Sequence, residues 1–398
     1  MRIVLVFEHH FYEDTDGNVW CDRIVDYNYL KRYLDVFKNI IVFARIQKVS
    51  ENCHSKLLVS GDCVEFYGIK NFYGIKGLIQ NYQSIIANFK KVLDKSDGII
   101  VRAPSILSII LYKEIVKKNK PFLVEFVMDA NKLIGSNSIV AKLANNIIEK
   151  RAKDLCQKAI GVSYVTKNIL QEKYPAKVRN LEDKNVKYFE AYYSSIDLED
   201  SFYFKRDYRY LKDETFKLIH VGYMDTYQKG HLIALDTVAR LLNDGYKVDI
   251  SFIGDGNLMD EFKEYGIRLG IQNQVFFLGS INKKNVIREN LLNANMFIFP
   301  SESEGLPRVL IEAMATGLPI TASATDGIPE LVSEEWLSKS NIPEEYESII
   351  KNAINNPNKL IDASKINYKN SQEYHKEILR TRRIEFYSKF KNYISSLV

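Results

Sequence analysis

Cysteine is scarce in this 398-residue chain: Cys21, Cys53, Cys63 and Cys156 stand far apart, with no C-x-x-C pair. Such spacing supplies neither a disulfide framework nor a zinc site, so the four read as reduced thiols of a cytosolic protein. Long apolar runs are missing as well. The run at residues 1–7 is far shorter than a signal peptide or a membrane span needs, and the stretch 103–116 is broken by Lys113 and Glu114. The expectation is a protein that is neither exported nor membrane-spanning. No repeat at a fixed period of 20–50 residues and no low-complexity segment is visible, which excludes solenoids and disordered linkers. No nucleic-acid recognition motif accompanies the charge, which argues against a nucleic-acid partner.

Charge is uneven along the chain. The first 200 residues hold 30 Lys and Arg against 24 Asp and Glu, leaving 25 against 26 in the rest. Aromatic-basic segments such as Lys70 to Lys76 and Phe89-Lys90-Lys91 lie in that basic half. They read first as a solvated surface, with anionic lipid headgroups as the alternative.

Short apolar runs alternate with amphipathic stretches from end to end. Strands are predicted at residues 3–7, 40–44, 98–101, 122–127, 159–162 and 188–192, then at 217–221, 248–253, 275–278, 296–299 and 319–321. Between them lie helical patterns, the clearest being the stripe Leu232, Leu235, Val238 and Leu242. Alternation of this kind predicts an α/β protein of parallel sheets covered by helices on both faces. The length suits two such domains. The rhythm pauses at 194–214, where a linker is placed, giving domains at 1–200 and 201–375. Only helical signals follow Ala353: one at 356–364, with Asn356 as cap and Pro357 in the first turn, and one at 372–397. The final helix, 376–398, is expected to pack back on the first domain.

The segment Phe299-Pro300-Ser301-Glu302-Ser303-Glu304-Gly305-Leu306-Pro307-Arg308-Val309-Leu310-Ile311-Glu312 reads as a strand end, a turn and a helix start. Proline in a first helical turn costs no intrahelical bond. The amides of Gly305 to Arg308 are then free to meet an anion, which the helix dipole favours. Glu312, just over one turn into the helix, can accept two hydrogen bonds, as a ribose diol offers. Glu304 in the turn can accept bonds from the hydroxyls of a second sugar. The plain alternative is that both glutamates merely favour the positive end of a helix.

The run E-G-L-P-x-x-L-I-E-A-M-A-T-G-L-P from Glu304 to Pro319 resembles the E-x7-E signature of retaining glycosyltransferases of family 4, which have the GT-B fold. Val221-Gly222 with Lys229-Gly230 is similar to that family's phosphate-binding loop. The segments Phe252-Ile253-Gly254-Asp255-Gly256, Val275-Phe276-Phe277-Leu278-Gly279 and Asp326-Gly327-Ile328-Pro329-Glu330-Leu331-Val332 are similar to its next blocks, in order. In the first half, Val124 to Asp129 and Val162 to Thr166 resemble blocks of a bacterial polysaccharide-assembly branch. The resemblance implies two Rossmann-like, doubly wound domains facing a cleft. It also implies transfer from a UDP- or GDP-sugar to a lipid-linked or free glycan acceptor, with retention at the anomeric carbon and no obligatory metal or other cofactor. By the same resemblance Glu304 contacts donor-sugar hydroxyls, Glu312 holds the nucleotide ribose and Lys229 neutralises the diphosphate. Gly222, Gly305 and Leu306 approach the donor through the backbone. The site of action is then the cytoplasm, on the inner face of the cell membrane.

Two positions depart from the family pattern. Tyr223 stands where an arginine often follows the V-G pair, so the diphosphate loses one usual cation, and Arg308 either compensates or is solvated. Met128 stands where a histidine often precedes Asp129, and Asp129 either serves the donor sugar or caps a helix. Gly254 and Gly256 begin a dinucleotide fingerprint that fails at Met259, and they read as a tight turn lining the nucleotide pocket. The stretch His9 to Gly17 reads as an acceptor-facing loop in which Gly17 permits close backbone approach; a metal site lacks ligand spacing there. Arg102 at a strand end either binds an anionic acceptor or is exposed. A nucleotide-sugar epimerase of the same fold and a non-catalytic nucleotide-sugar-binding partner are the competing readings.

Overall fold

The structure, a computed structural model, describes residues 1–22, 25–50, 53, 56–134, 139–180, 187–210 and 214–397. It divides into two compact units, one formed by Met1–Tyr193 with Arg380–Val398 and the other by Ser194–Leu379.

The first unit carries strands β1 (Arg2–Glu13), β2 (Val19–Cys21), β3 (Asn39–Lys48), β4 (Leu57–Leu58), β5 (Val64–Lys70), β6 (Gly98–Ala103), β7 (Phe122–Phe126), β8 (Gly161–Tyr164) and β9 (Phe189–Tyr192). Its helices are α1 (Tyr27–Leu34), α2 (Gly74–Asp94), α3 (Ile106–Lys117), α4 (Ile139–Lys158) and α5 (Ile169–Lys173). Among the described residues, seven strands pair in parallel in the order β5-β3-β1-β6-β7-β8-β9. β2 and β4 extend the carboxyl half of β1 in antiparallel fashion. Strands such as Phe122–Phe126 are buried throughout, as a sheet covered on both faces requires. Helices α2, α3 and α4 cover one face, where Phe89, Leu111 and Ile148 share a core with Val4, Val101 and Val124.

β1 runs on well past Phe7. Residues 8–13, expected as a loop, continue the strand after a bulge between Val6 and His10. Phe11 anchors them, fully buried and paired with both Ile46 and Cys21. The turn that follows is built by Asp14, whose carboxylate accepts from Asn18 N (2.8 Å) and Trp20 Nε1 (2.7 Å).

The second unit contains β10 (Phe216–Val221), β11 (Val248–Ile253), β12 (Val275–Phe277), β13 (Met296–Phe299), β14 (Ile320–Ser323) and β15 (Leu337–Ser338). They are joined by α6 (His231–Asn243), α7 (Met259–Arg268), α8 (Lys284–Asn293) and α9 (Arg308–Ala315), then followed by α10 (Pro343–Asn355) and α11 (Pro357–Ser371). The sheet order is β12-β11-β10-β13-β14-β15, with every pairing parallel. Counted from β10, that is the 3-2-1-4-5-6 order of a doubly wound Rossmann-like sheet, which opens a crevice where the order reverses, between β10 and β13.

The helix expected at 372–397 is interrupted. A single 3-10 turn, Gln372–Tyr374, precedes α12 (Lys376–Ser395). His375, at φ −60° and ψ 139°, breaks the helix while its ring Nε2–H donates to Asp200 Oδ1 at 2.7 Å. From Arg380 on, α12 belongs to the first unit. Tyr387 stacks on Tyr33 with centroids 5.3 Å apart, and a Cβ at Gly98 would meet Ile394 Cδ1 at 2.7 Å, so a larger residue there would have to push that side chain aside. Cys21, Cys53 and Cys156 are buried, Cys63 is exposed and all four are free thiols. Among the described residues no helix is long and apolar enough to cross a membrane.

Candidate donor site in the second unit

Two loops leave the carboxyl ends of β10 and β13 and meet at the crevice. The first runs from Gly222 through a 3-10 turn at Tyr227–Lys229 to Gly230, which opens α6. Gly230 has φ +74°, and a Cβ there would lie 2.1 Å from the Pro300 carbonyl oxygen. No other residue fits, so glycine allows α6 to begin directly beneath the second loop. That second loop is tied back to the first: Glu302 N donates to Gln228 O at 2.8 Å, and Ser301 Oγ does so at 3.2 Å.

Gly254, at φ +147°, supports the first loop from the β11 side. A Cβ at this position would sit 1.9 Å from Gly222 O, and one at Gly256 would sit 2.3 Å from Met224 C. These glycines therefore serve loop-on-loop packing. Met224 N donates to Asp255 O at 3.0 Å and holds the two loops in register.

Glu304 is the hub of the second loop. Its Oε1 accepts from Lys229 Nζ at 2.5 Å and from Ser301 Oγ at 2.8 Å, and its backbone N donates to Asp326 Oδ2 at 2.8 Å. Ser323 Oγ in turn donates to Ser301 O at 2.5 Å. The Glu304 loop is thus tied to the ends of three strands, β10, β13 and β14. Lys229 is joined to Glu304 although 75 residues separate them.

Leu306 is buried and Pro307 caps α9 in extended conformation without a side-chain hydrogen bond. Among the described residues the amides of Gly305, Leu306 and Arg308 meet no acceptor. Glu312 follows one turn later. Burial pushes its carboxyl up to about 7, while Arg308 and Lys284 pull it down. Lys284, at the start of α8, also donates to Asp197 O at 2.5 Å. Tyr223, where the family resemblance leads one to look for arginine, is 45% exposed.

Beneath the first loop lie His220 and His231, both fully buried, with ring centroids 4.5 Å apart. His220 Nδ1 is 2.9 Å from Ile298 O, and His231 stacks on Phe262 at 4.8 Å. Burial pushes both below the ordinary histidine range, His231 to about 4, so both are neutral at pH 7. Sequence reading missed this pair, and it missed Asp326, Ser301 and Lys284. A signal existed only for Asp326, which opens the D-G-I-P-E block.

The first unit's candidates have other partners. Asp129 caps the 3-10 turn Ala130–Lys132, accepting from Asn131 N at 3.0 Å, from Lys173 Nζ at 2.6 Å and from Tyr174 Oη. Burial raises its pKa, but the Lys173 and Tyr174 hydrogen bonds outweigh that and leave it lowered. Arg102 donates to Tyr29 Oη at 2.5 Å and lies 3.8 Å from the buried Glu125. Gly17 is needed for its φ of +81°, and a Cβ there would meet nothing within 4 Å. Among the described residues no three His, Cys, Asp or Glu side chains gather as a metal site.

The lysine–glutamate pair and the free helix amides lie at the switch point of a 3-2-1-4-5-6 sheet, and the chain has the GT-B fold of glycosyltransferases. Residues 205–370 match the family glycosyl transferases group 1. Protein CapJ of Staphylococcus aureus is 28% identical over 339 residues, covering 84% of this chain and 82% of that protein. The amylovoran biosynthesis glycosyltransferase AmsK of Erwinia amylovora is 31% identical over 122 residues, 28% of this chain and 30% of AmsK. Among solved structures, HepE of Anabaena in complex with UDP-glucose superposes with a TM-score of 0.65 at 14% identity, covering 98% of this chain and 99% of that one.

Proposed function

We propose that the protein moves a sugar from a nucleotide-sugar donor, a UDP- or GDP-sugar, to a glycan acceptor carried on a lipid, with retention at the anomeric carbon. The product belongs to a bacterial cell-surface polysaccharide. The observation that carries this reading is the Lys229–Glu304 pair set beside the open amides of Gly305, Leu306 and Arg308, with Glu312 one turn away. The likeness to AmsK and to UDP-glucose-bound HepE supports the substrate classes.

Each residue has a chemical task in this scheme. Lys229 is a point charge suited to a diphosphate, and the amides at the start of α9 add donors whose dipoles are already aimed. Both gain strength as negative charge grows on the leaving diphosphate, so they favour the transition state over the bound donor. Glu304 is held by Lys229 and Ser301 through one oxygen, leaving the other for donor-sugar hydroxyls. Glu312, once ionised, accepts from both ribose hydroxyls. Arg308 supplies the cation that Tyr223 does not. The acceptor hydroxyl attacks from the face the diphosphate leaves, and its proton passes to a departing phosphate oxygen. No protein nucleophile is assigned.

The test is a transfer assay with radiolabelled UDP- and GDP-sugars and lipid-linked glycan acceptors, with the anomeric configuration of the product read by NMR. Transfer with retention, lost in Lys229→Ala, is expected. Inversion, or epimerised donor without any acceptor, would replace the reading.

A further inference from the structure

We propose that Asp326 is a positioning residue that aims the Glu304 carboxylate, a role that rests on the donor-site reading above. The loops after β13 and β14 are tied at two rungs, each joining residues 22 positions apart. In the first, Ser323 Oγ donates to Ser301 O at 2.5 Å. In the second, Glu304 N donates to Asp326 Oδ2 at 2.8 Å. Ser301 and Ser323 are fully buried and form the packed base of the two loops, whereas Asp326 is half-buried.

The turn that carries Asp326 does not call for an aspartate. Thr325 to Ile328 form a turn closed by Ile328 N donating to Thr325 O at 3.0 Å. Asp326 stands at its second position with φ +48°, and Gly327 at its third with φ −77°. A positive φ at the second position alone favours glycine there, because a Cβ is crowded in the left-handed region. The glycine of this block stands one place later instead, at a φ that any residue adopts. Backbone strain of this kind persists where the surrounding structure uses it. Here the left-handed residue brings a carboxylate to Glu304 N, which glycine would leave without that acceptor.

Glu304 is thereby held at both ends. Ser301 Oγ and Lys229 Nζ hold its Oε1, and Asp326 holds its backbone N. Pinned at Oε1 alone, the side chain could swing about that oxygen and carry Oε2 off line. The backbone tie removes this freedom and fixes the direction in which Oε2 meets a donor sugar's hydroxyls. The amides of the loop divide in the same way. Glu302 N and Glu304 N are taken by Gln228 O and Asp326, while those of Gly305, Leu306 and Arg308 meet no acceptor among the described residues. Asp326 therefore acts on the sugar-facing carboxylate and leaves the amides offered to the diphosphate open. Loss of its side chain is felt in the sugar-transfer step and not in nucleotide binding.

The experiment compares Asp326→Gly and Asp326→Asn with the parent in the full chain. Glycine removes the carboxylate and suits the positive φ, so it adds no strain. Asparagine keeps an oxygen that can accept from Glu304 N and tolerates the same φ. Steady-state transfer from UDP- and GDP-sugars gives kcat and KM, and calorimetry gives the affinity for UDP and GDP, which lack the sugar. Asp326→Gly is expected to lower kcat about thirtyfold while affinity for the bare nucleotide stays within about twofold of the parent. Asp326→Asn is expected to restore kcat to within about threefold of the parent. Parent-like kcat in Asp326→Gly, or failure of asparagine to restore a lost kcat, would overturn the proposal. So would nucleotide affinity that falls in step with kcat, which would make Asp326 a support of the whole loop. A parent that transfers no sugar at all overturns the donor-site reading itself and this role with it, whereas the other outcomes, read in an active parent, strike Asp326 alone.

Discussion

Lys229 and Glu304 form an ion pair 2.5 Å long that joins the loop after β10 to the loop after β13. The pair spans the point at which the sheet order reverses, so a diphosphate entering there meets Lys229 already positioned. Lys229→Ala is expected to lower transfer at least about a hundredfold while costing about 1–2 kcal/mol of stability, since Glu304 keeps Ser301 as donor. Steady-state kinetics beside urea unfolding separate the two effects. A loss of stability with unchanged turnover would reduce the pair to a structural tie.

The glycine at 254 is a steric necessity. Gly254→Ala places a methyl 1.9 Å from Gly222 O at a φ of +147°. A cost of about 3 kcal/mol or more is expected, together with loss of the nucleotide response, because Gly222 and Lys229 share the displaced loop. Gly17→Ala has open space around it and is expected to cost only the roughly 1 kcal/mol of a strained φ.

Glu312 is expected to make donor binding depend on pH. Its folded pKa, about 7, lies above the ordinary 4.5, so the free protein holds this proton between those values and loses the associated stability as pH rises through the window. A ribose diol needs the ionised form. Nucleotide-sugar affinity is therefore expected to fall about tenfold per unit below pH 7 and to level off above it. Calorimetric titration from acid to neutral pH checks the slope, and Glu312→Gln is expected to remove the slope along with most of the affinity.

His231 acts with the opposite sign. Its folded pKa, about 4, lies below the ordinary 6.5. The unfolded chain therefore binds the extra proton, and stability is lost as pH falls from 6.5 towards 4, by about 3 kcal/mol in full. His231→Phe removes the titrating group where it stacks on Phe262 and lies beside Phe252 and His220. The variant is expected to resist acid unfolding better than the parent, with the donor-site acids left to titrate as before. Equal acid midpoints for both proteins would contradict the assignment.

Glu125 lies buried beside Arg102, bonded by Tyr33 Oη at 2.8 Å and by Tyr387 Oη of α12. Tyr387→Phe removes one donor from this buried carboxylate and is expected to cost about 1–3 kcal/mol. The effect is read by denaturant unfolding, and a neutral result would mean that water replaces the hydroxyl.

The fold was legible because strands buried on both faces are continuous apolar runs, and Met296–Phe299 stands out without a partner in view. Glu304, Glu312 and Lys229 were legible because glycine and proline around them mark one loop–helix junction and one tight turn. The carboxyl half of β1 was not. His9 and His10 are polar, and only Phe11's pairing with Ile46 and Cys21 makes a strand of that stretch. Tyr387 and Glu125 are 262 residues apart, and no local period reports such a bond. The neutral His220–His231 pair is equally silent in sequence, since burial alone sets its charge. Asp129 reads as a site candidate from its place in a family-like block and Arg102 from its place at a strand end, whereas their side chains turn to Tyr174 and Lys173, and to Tyr29 and Glu125.

The most direct test of the donor site is thermal-shift screening of the full chain against UDP, GDP, ADP, CMP and their sugar conjugates, with Glu312→Ala in parallel. Stabilisation by a ligand grows with its occupancy of the native site. The expected result is a higher melting temperature with one nucleotide family, UDP or GDP, and no response in the variant. The contradicting result is an unchanged melting temperature with every nucleotide at millimolar concentration, or a response that survives Glu312→Ala undiminished.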